Sequence, residues 1–319
     1  MKKRLFALFI AMMYLLTACG QTAPGVADDG KLTIVATTYP VYLFASAVTA
    51  GAENIVVERL DTGSTSCLHD YNLTVNDMKK LEKADVIALS GVGLEEFMED
   101  ALATSEAMVV DCSKGVELLE NQSHHHDEHD HSHDGHDHGH FDPHYWLDPD
   151  NAILMAENLA AGLTSVESGE QTRFENNAAR VRDRLPRGAY DCHRLLDGVG
   201  SPELITFHDG FQYFAHAFEM ELLKSIEEEA GSEASAKEIV EITALVKDHG
   251  IPGIFTEVNG SDATANAIAR ETGCQVAQLS MLMDGYMLGP SADVDDWIDL
   301  YLDALTANVE AVAGVFTGT

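Results

Sequence analysis

The sequence predicts an α/β protein of two lobes, each a parallel four-stranded sheet flanked by helices, joined by a long linker helix. Three observations carry this. In the first half, short β-rich runs alternate with helical patterns, which calls for parallel strands joined by crossover helices. The alternation recurs after about residue 199. Between the two stretches lies a charged helical pattern of roughly 30 residues, about 40 Å long at about 1.5 Å per residue, enough to bridge two domains. A chain of 319 residues has room for both cores. The expected boundaries are a first lobe over 31–168, a linker over 169–198 and a second lobe over 199–319.

The elements follow in order. Leu32–Ala36 reads as a buried parallel strand, and a helix pattern runs from Val41 to about Ala50, stopped by Gly51. Asn54–Leu60 is the second strand. Thr74 with Asp77 has the spacing of a capping box and opens a helix whose inner face carries Met78 and Leu81. Asp85–Leu89 is the third strand, Glu95–Ala103 a helix and Met108–Asp111 the fourth strand. Two helical patterns follow, from about Asp150 to Ser165 and from about Glu170 towards Leu196. Pro186 inside the second predicts a kink or break. In the second half Glu203–Phe207 is a strand and Phe211–Phe218 a helix. Ser235 with Glu238 forms another capping box, for a helix ending at His249-Gly250. Gly253–Glu257 is a strand, Ala263–Glu271 a helix stopped by Gly273, and Val276–Leu279 a strand. The closing helix sets Trp297, Tyr301, Leu305, Val309 and Val312 at core spacing.

Composition narrows the function. Hydrophobic residues are 45% and charged residues 23%, the balance of a soluble globular protein. Asp and Glu number 53 against 19 Lys and Arg, a net charge of −34 that repels phosphate and excludes a nucleic-acid binder. The N-terminus reads as an address: Lys2, Lys3 and Arg4 precede the apolar run Leu5–Leu16, too short for a membrane span. Leu16-Thr17-Ala18-Cys19-Gly20 resembles a bacterial lipobox. Residues 1–18 are then a signal peptide, Cys19 carries lipid, and 19–30 form a flexible tether. Outside the cytoplasm Cys67, Cys112, Cys192 and Cys274 are free to pair.

Of 15 histidines, nine fall between residues 124 and 140: His124, His125, His126, His129, His131, His133, His136, His138 and His140. Carboxylates are interleaved with them. A segment (123–140) with nothing apolar to bury does not order itself, and it suits collection of zinc, nickel or copper at low affinity. High affinity needs ligands on a scaffold. His69, His144 and His208 are isolated and sit at the ends of elements: after the second strand, after Pro143, and directly after Glu203–Phe207. Ligands collect beyond the carboxyl ends of strands in open α/β sheets, so all three can face one interlobe cleft.

The segments His69-Asp70-Tyr71, Asp142-Pro143-His144-Tyr145-Trp146-Leu147-Asp148-Pro149 and Phe207-His208-Asp209-Gly210-Phe211-Gln212-Tyr213-Phe214, with the His-rich insertion, resemble the zinc/manganese solute-binding lipoproteins of bacterial ABC importers. The likeness spans essentially all of residues 19–319. It implies two α/β lobes on a rigid linker helix. The metal is held between the lobes by His69, His144 and His208, and the protein, a monomer, docks on an ABC permease driven by its ATPase. A His-rich loop before the second ligand and a histidine at the third ligand position favour the zinc branch. The coordination chemistry agrees: imidazole nitrogens suit Zn2+, whereas Mn2+ prefers oxygen.

The fourth ligand stays open among Glu257 at the end of its strand, Asp284 and water. Glu257, Asp70 and Asp209 are also candidates to orient a ligating imidazole from outside the ligand shell. A Cys67–Cys112 disulfide would stiffen the His69 loop. The reading is a binding protein, not an enzyme, tethered outside the cytoplasm through the lipid on Cys19. The alternatives are a manganese or iron carrier, a zinc hydrolase using Glu257 as base, or a surface metal buffer or adhesin.

Overall fold

In a computed structural model of the chain, residues 30–62, 68, 71–121, 140–226, 235–258 and 260–318 are described. Two parallel sheets carry the fold. β1 (Leu32–Ala36), β2 (Ile55–Arg59), β3 (Val86–Leu89) and β4 (Met108–Asp111) form the first, in the order β2-β1-β3-β4. β5 (Glu203–Thr206), β6 (Glu221–Ser225), β7 (Gly253–Glu257) and β8 (Gln275–Leu279) form the second, in the order β6-β5-β7-β8. The two orders are equivalent. Each sheet reverses its winding between its first and third strands, and the crevice beyond that reversal is where open α/β sheets bind ligands.

The helices are α1 (Tyr39–Thr49), α2 (Val75–Lys83), α3 (Glu99–Thr104), α4 (Pro149–Val166), α5 (Gln171–Leu195), α6 (Gln212–Ala217), α7 (Ala236–His249), α8 (Ala263–Thr272) and α9 (Val294–Thr317). Every residue of α1 is buried, as expected of a helix apolar on all sides. Its N-terminus is capped by the Thr38 hydroxyl, and its last carbonyls, those of Val48 and Ala50, accept from the Asn177 amide on α5. Both expected capping boxes form, at Thr74/Asp77 and Ser235/Glu238. Gly250 and Gly273 end α7 and α8 in the left-handed conformation, where a Cβ is unfavourable.

α1 packs against α4, α5 and α9. One core cluster therefore includes Phe44 of α1, Leu159 of α4, Phe174 of α5 and Tyr301 of α9. α5 buries Phe174, Ala178, Val181, Leu185 and Cys192 along one stripe. Its outer face is stapled: Arg184 pairs with Asp295 and Asp299, Arg180 with Asp295, and Arg182 with Glu157. Gly188 admits α9 so closely that an added Cβ would lie 2.3 Å from Leu302.

Four expectations are corrected and one strand is added. Met78 is exposed on α2 rather than on its inner face, where Asp77 and Leu81 are buried instead. Pro186 does not break α5, which is continuous from Gln171 to Leu195. The packing of α4 and α9 against that helix outweighs one lost backbone bond. The helix expected over Glu95–Ala103 is a 3-10 turn at Glu96–Met98 followed by the short α3. β6 was not singled out in the sequence. Glu221-Leu-Leu-Lys-Ser225 is an edge strand with a register shift opposite Leu204/Ile205, so its hydrophobic pattern is weak. Cys112 is a free, fully buried thiol rather than half of a disulfide; Cys67 lies outside the described residues, as do Cys19 and the rest of the leader. Among the described residues no helix is long and apolar enough to cross a membrane.

Candidate metal centre

Two of the three isolated histidines meet. The rings of His144 and His208 lie 5.5 Å apart, centre to centre, at 75°. Two imidazoles bound to one tetrahedral zinc at ~2.0–2.1 Å would place their ring centres roughly 5 Å apart. Both side chains are buried. His208 stands two residues beyond β5, and the hydroxyl of Thr206 donates to its carbonyl at 2.8 Å. His144 precedes a 3-10 turn, Tyr145–Leu147, that is locked on both sides. The Tyr145 hydroxyl donates to the carbonyl of Ser90 at the end of β3 (2.7 Å), and the Trp146 indole N–H donates to the carbonyl of Met281 beyond β8 (2.9 Å). Gly210 sits against the pair. A Cβ there would fall 2.9 Å from the Cγ of His144 and 2.5 Å from the Cε of Met281.

Among the described residues, three carboxylates accompany the pair. Asp142 Oδ1 accepts from the backbone N–H of His144 at 2.8 Å and lies 2.7 Å from its Nδ1. An ionised carboxylate only accepts, so Nδ1 carries the proton and Nε2 presents a lone pair. The Asp142 side chain is 1% exposed. Asp209 is buried with an oxygen 3.9 Å from His208 Nε2, and Glu257, the last residue of β7, is buried as well. Burial works against the charged form of His144, but Asp142, then Asp209 and Glu257, outweigh it and hold the imidazole above its ordinary range. Burial pushes Glu257 up to about 7, opposed by His144. With Nδ1 protonated, Nε2 is the open donor, and the carboxylates that hold the imidazole's proton would also attract a divalent cation bound there.

The other expected residues divide. His69, Asp70 and His124 through His138 lie outside the described residues. His140 is described, exposed, and 3.5 Å from Glu120. Its carbonyl accepts from the Asn121 N–H, and an antiparallel bridge joins Glu120 to Phe141. Asp284 is engaged elsewhere: it pairs with Arg59 at 3.1 Å, half-exposed, while the Arg59 guanidinium rests 5.3 Å over the Tyr39 ring. Among the described residues no third His, Cys, Asp or Glu side chain completes a metal-holding group. Asp142 was missed in the sequence, although its spacing two residues before His144 is the signal that finds it.

A second carboxylate system supports the first sheet. Glu95 is buried where β1 and β3 end. It accepts from the Thr37 hydroxyl and the Ser90 N–H at 2.7 Å and from the Gly91 N–H at 3.0 Å. Burial, only partly offset by these bonds, pushes its carboxyl up to about 7.

Comparison with known proteins bears on this arrangement. The family described as zinc-uptake complex component A, periplasmic (ZnuA), matches residues 34–315. The zinc-binding protein AdcA of Streptococcus pyogenes serotype M3 is 29% identical over 271 residues, 82% of this chain and 52% of that protein. The chain thus spans about half the length of that relative. The high-affinity zinc uptake system protein ZnuA of Bacillus subtilis is 27% identical over 320 residues, 98% of both chains. A solved ZnuA structure superposes with a TM-score of 0.71 at 23% identity, covering 89% of this chain and 98% of that one. That likeness shows the fold: two lobes of parallel sheet flanked by helices.

Proposed function

This chain belongs to the ZnuA family of zinc-uptake components, and on that premise we propose that it captures Zn2+ outside the cytoplasm and delivers it to an ABC import permease and its ATPase. It is a carrier, not an enzyme. In this reading His144, His208 and His69 supply imidazole nitrogens, and the buried Glu257 carboxylate, near enough to His144 to influence its protonation, is the fourth donor. Asp284 is left to its pair with Arg59. The observation that carries the reading is the buried His144–His208 pair, with Asp142 on His144, Asp209 beside His208 and Glu257 buried at the end of β7. Nitrogen donors favour zinc over manganese. The insertion 123–140 raises the local zinc concentration, and lipid on Cys19 holds the receptor near its permease.

Calorimetric titration of the metal-free protein with zinc and with manganese tests this. One tight zinc per chain is expected, with affinity lowered at least 100-fold in His144→Ala. A manganese preference, or an unchanged zinc affinity in that variant, rejects the assignment.

A further inference from the structure

Two amide side chains cross between the halves of the molecule, each to a carboxylate next to one of the paired histidines. Gln212 opens α6, four residues after His208, and donates through Nε2 to Asp142 Oδ2 at 3.2 Å. The other oxygen of Asp142 is the one that holds His144. In the opposite sense Asn121, from the first half, donates to Asp209 Oδ2, beside His208, at 3.3 Å. Asn121, Asp142, Asp209 and Gln212 are all buried. Each half therefore grips the carboxylate that neighbours the other half's histidine.

We propose that Gln212 is a positioning residue which, through Asp142, fixes the imidazole of His144 from the opposite half, so that zinc affinity depends on the two halves being docked. The inference rests on the zinc reading above and adds a condition to it. Within its own loop the Asp142 carboxylate is held at one oxygen only, by the backbone N–H and the ring of His144, and its last torsion is broad. The Gln212 donor fixes the second oxygen and so sets the carboxylate plane that faces Nδ1. Separation of the halves removes that donor, leaves the carboxylate held at one oxygen and loosens the ring. The Asn121–Asp209 bond breaks in the same movement. A bound ion would thus lose its nitrogen donor's orientation at the moment the cleft opens, which couples opening to release.

The test uses the full chain with Gln212→Ala and Gln212→Met, the second retaining side-chain bulk without a donor. In metal-free protein, at a pH where the imidazole is neutral, nitrogen-15 NMR of the histidine ring reads the tautomer of His144. Wild type is expected to show the proton on Nδ1 and both variants a mixture. Zinc dissociation constants are expected to rise 10- to 100-fold, with melting temperatures of the metal-free proteins little changed in Gln212→Met. Combining Gln212→Met with Asp142→Asn is expected to add nothing to the loss from Asp142→Asn alone. An Nδ1–H tautomer and a zinc affinity both unchanged in the two variants overturn the proposal, as does additivity in the cycle. Wild-type protein that binds no zinc would refute the zinc reading instead, while the tautomer measured without metal still decides the clasp.

Discussion

Thr37 and Glu95, 58 positions apart, are joined by a 2.7 Å hydrogen bond at a point where both side chains are buried. Through it the end of β1 is tied to the end of β3, and the Tyr145 hydroxyl, donating to Ser90, extends the tie to the turn that carries His144.

Glu95 makes the fold sensitive to pH. Its carboxyl titrates near 7 in the folded chain against an ordinary 4.5. Below about 4.5 both states hold the proton and no difference arises. Between those values the folded state retains a proton that the unfolded chain has released, so each rise in pH costs stability. Above about 7 the cost is complete, on the order of 3 kcal/mol. Urea unfolding of the metal-free protein at pH 5 and pH 8 is expected to show this loss, and Glu95→Gln to remove most of it. An equal pH slope in the two proteins would disprove the effect.

The insertion and the buried pair are separable. Removing residues 124–138 keeps the Glu120–Phe141 bridge that closes the base of the insertion. That variant is expected to bind zinc at the tight site within a few-fold of wild type and to lose several weaker equivalents. His208→Ala is expected to show the reverse. Titration calorimetry separates the two, and loss of the tight event on removing the insertion would contradict the ligand assignment.

Gly210 is required for room rather than for conformation. A methyl group there would press on the ring of His144 and the end of Met281. The Met281 terminus is flexible and can yield. His144 cannot, being held by Asp142 and by the turn that follows. Gly210→Ala is therefore expected to weaken zinc binding at least 10-fold while costing about 1–3 kcal/mol of stability, the usual range for overpacking. Zinc titration and denaturant unfolding check this; unchanged affinity would show that the ring moves aside.

Much of this was legible in the residues. Alternating strands and helices gave the first sheet and three strands of the second. Thr74/Asp77 and Ser235/Glu238 gave two helix starts, and Gly250 and Gly273 two stops, because caps are local signals. The histidine pair was legible because both residues stand at the ends of elements. What escaped depends on partners distant in sequence. β6 makes sense only beside β5, and Pro186 is tolerated because α4 and α9 hold the helix around it. Asp284 follows a strand as a ligand would, yet Arg59, 225 positions away, claims it. Asp142 gains its part from the fold of its own loop and from Gln212, 70 positions on.

The bridge between Glu120 and Phe141, with the Asn121 N–H bonded to the His140 carbonyl, pinches the base of the insertion shut. Chain enters and leaves there as neighbours, so a segment of another length can be joined between Asn121 and His140 without moving either. A fluorescent domain spliced in its place would ride next to Asp142 and its histidine partner, a place from which an optical gauge of the receptor's cargo could report.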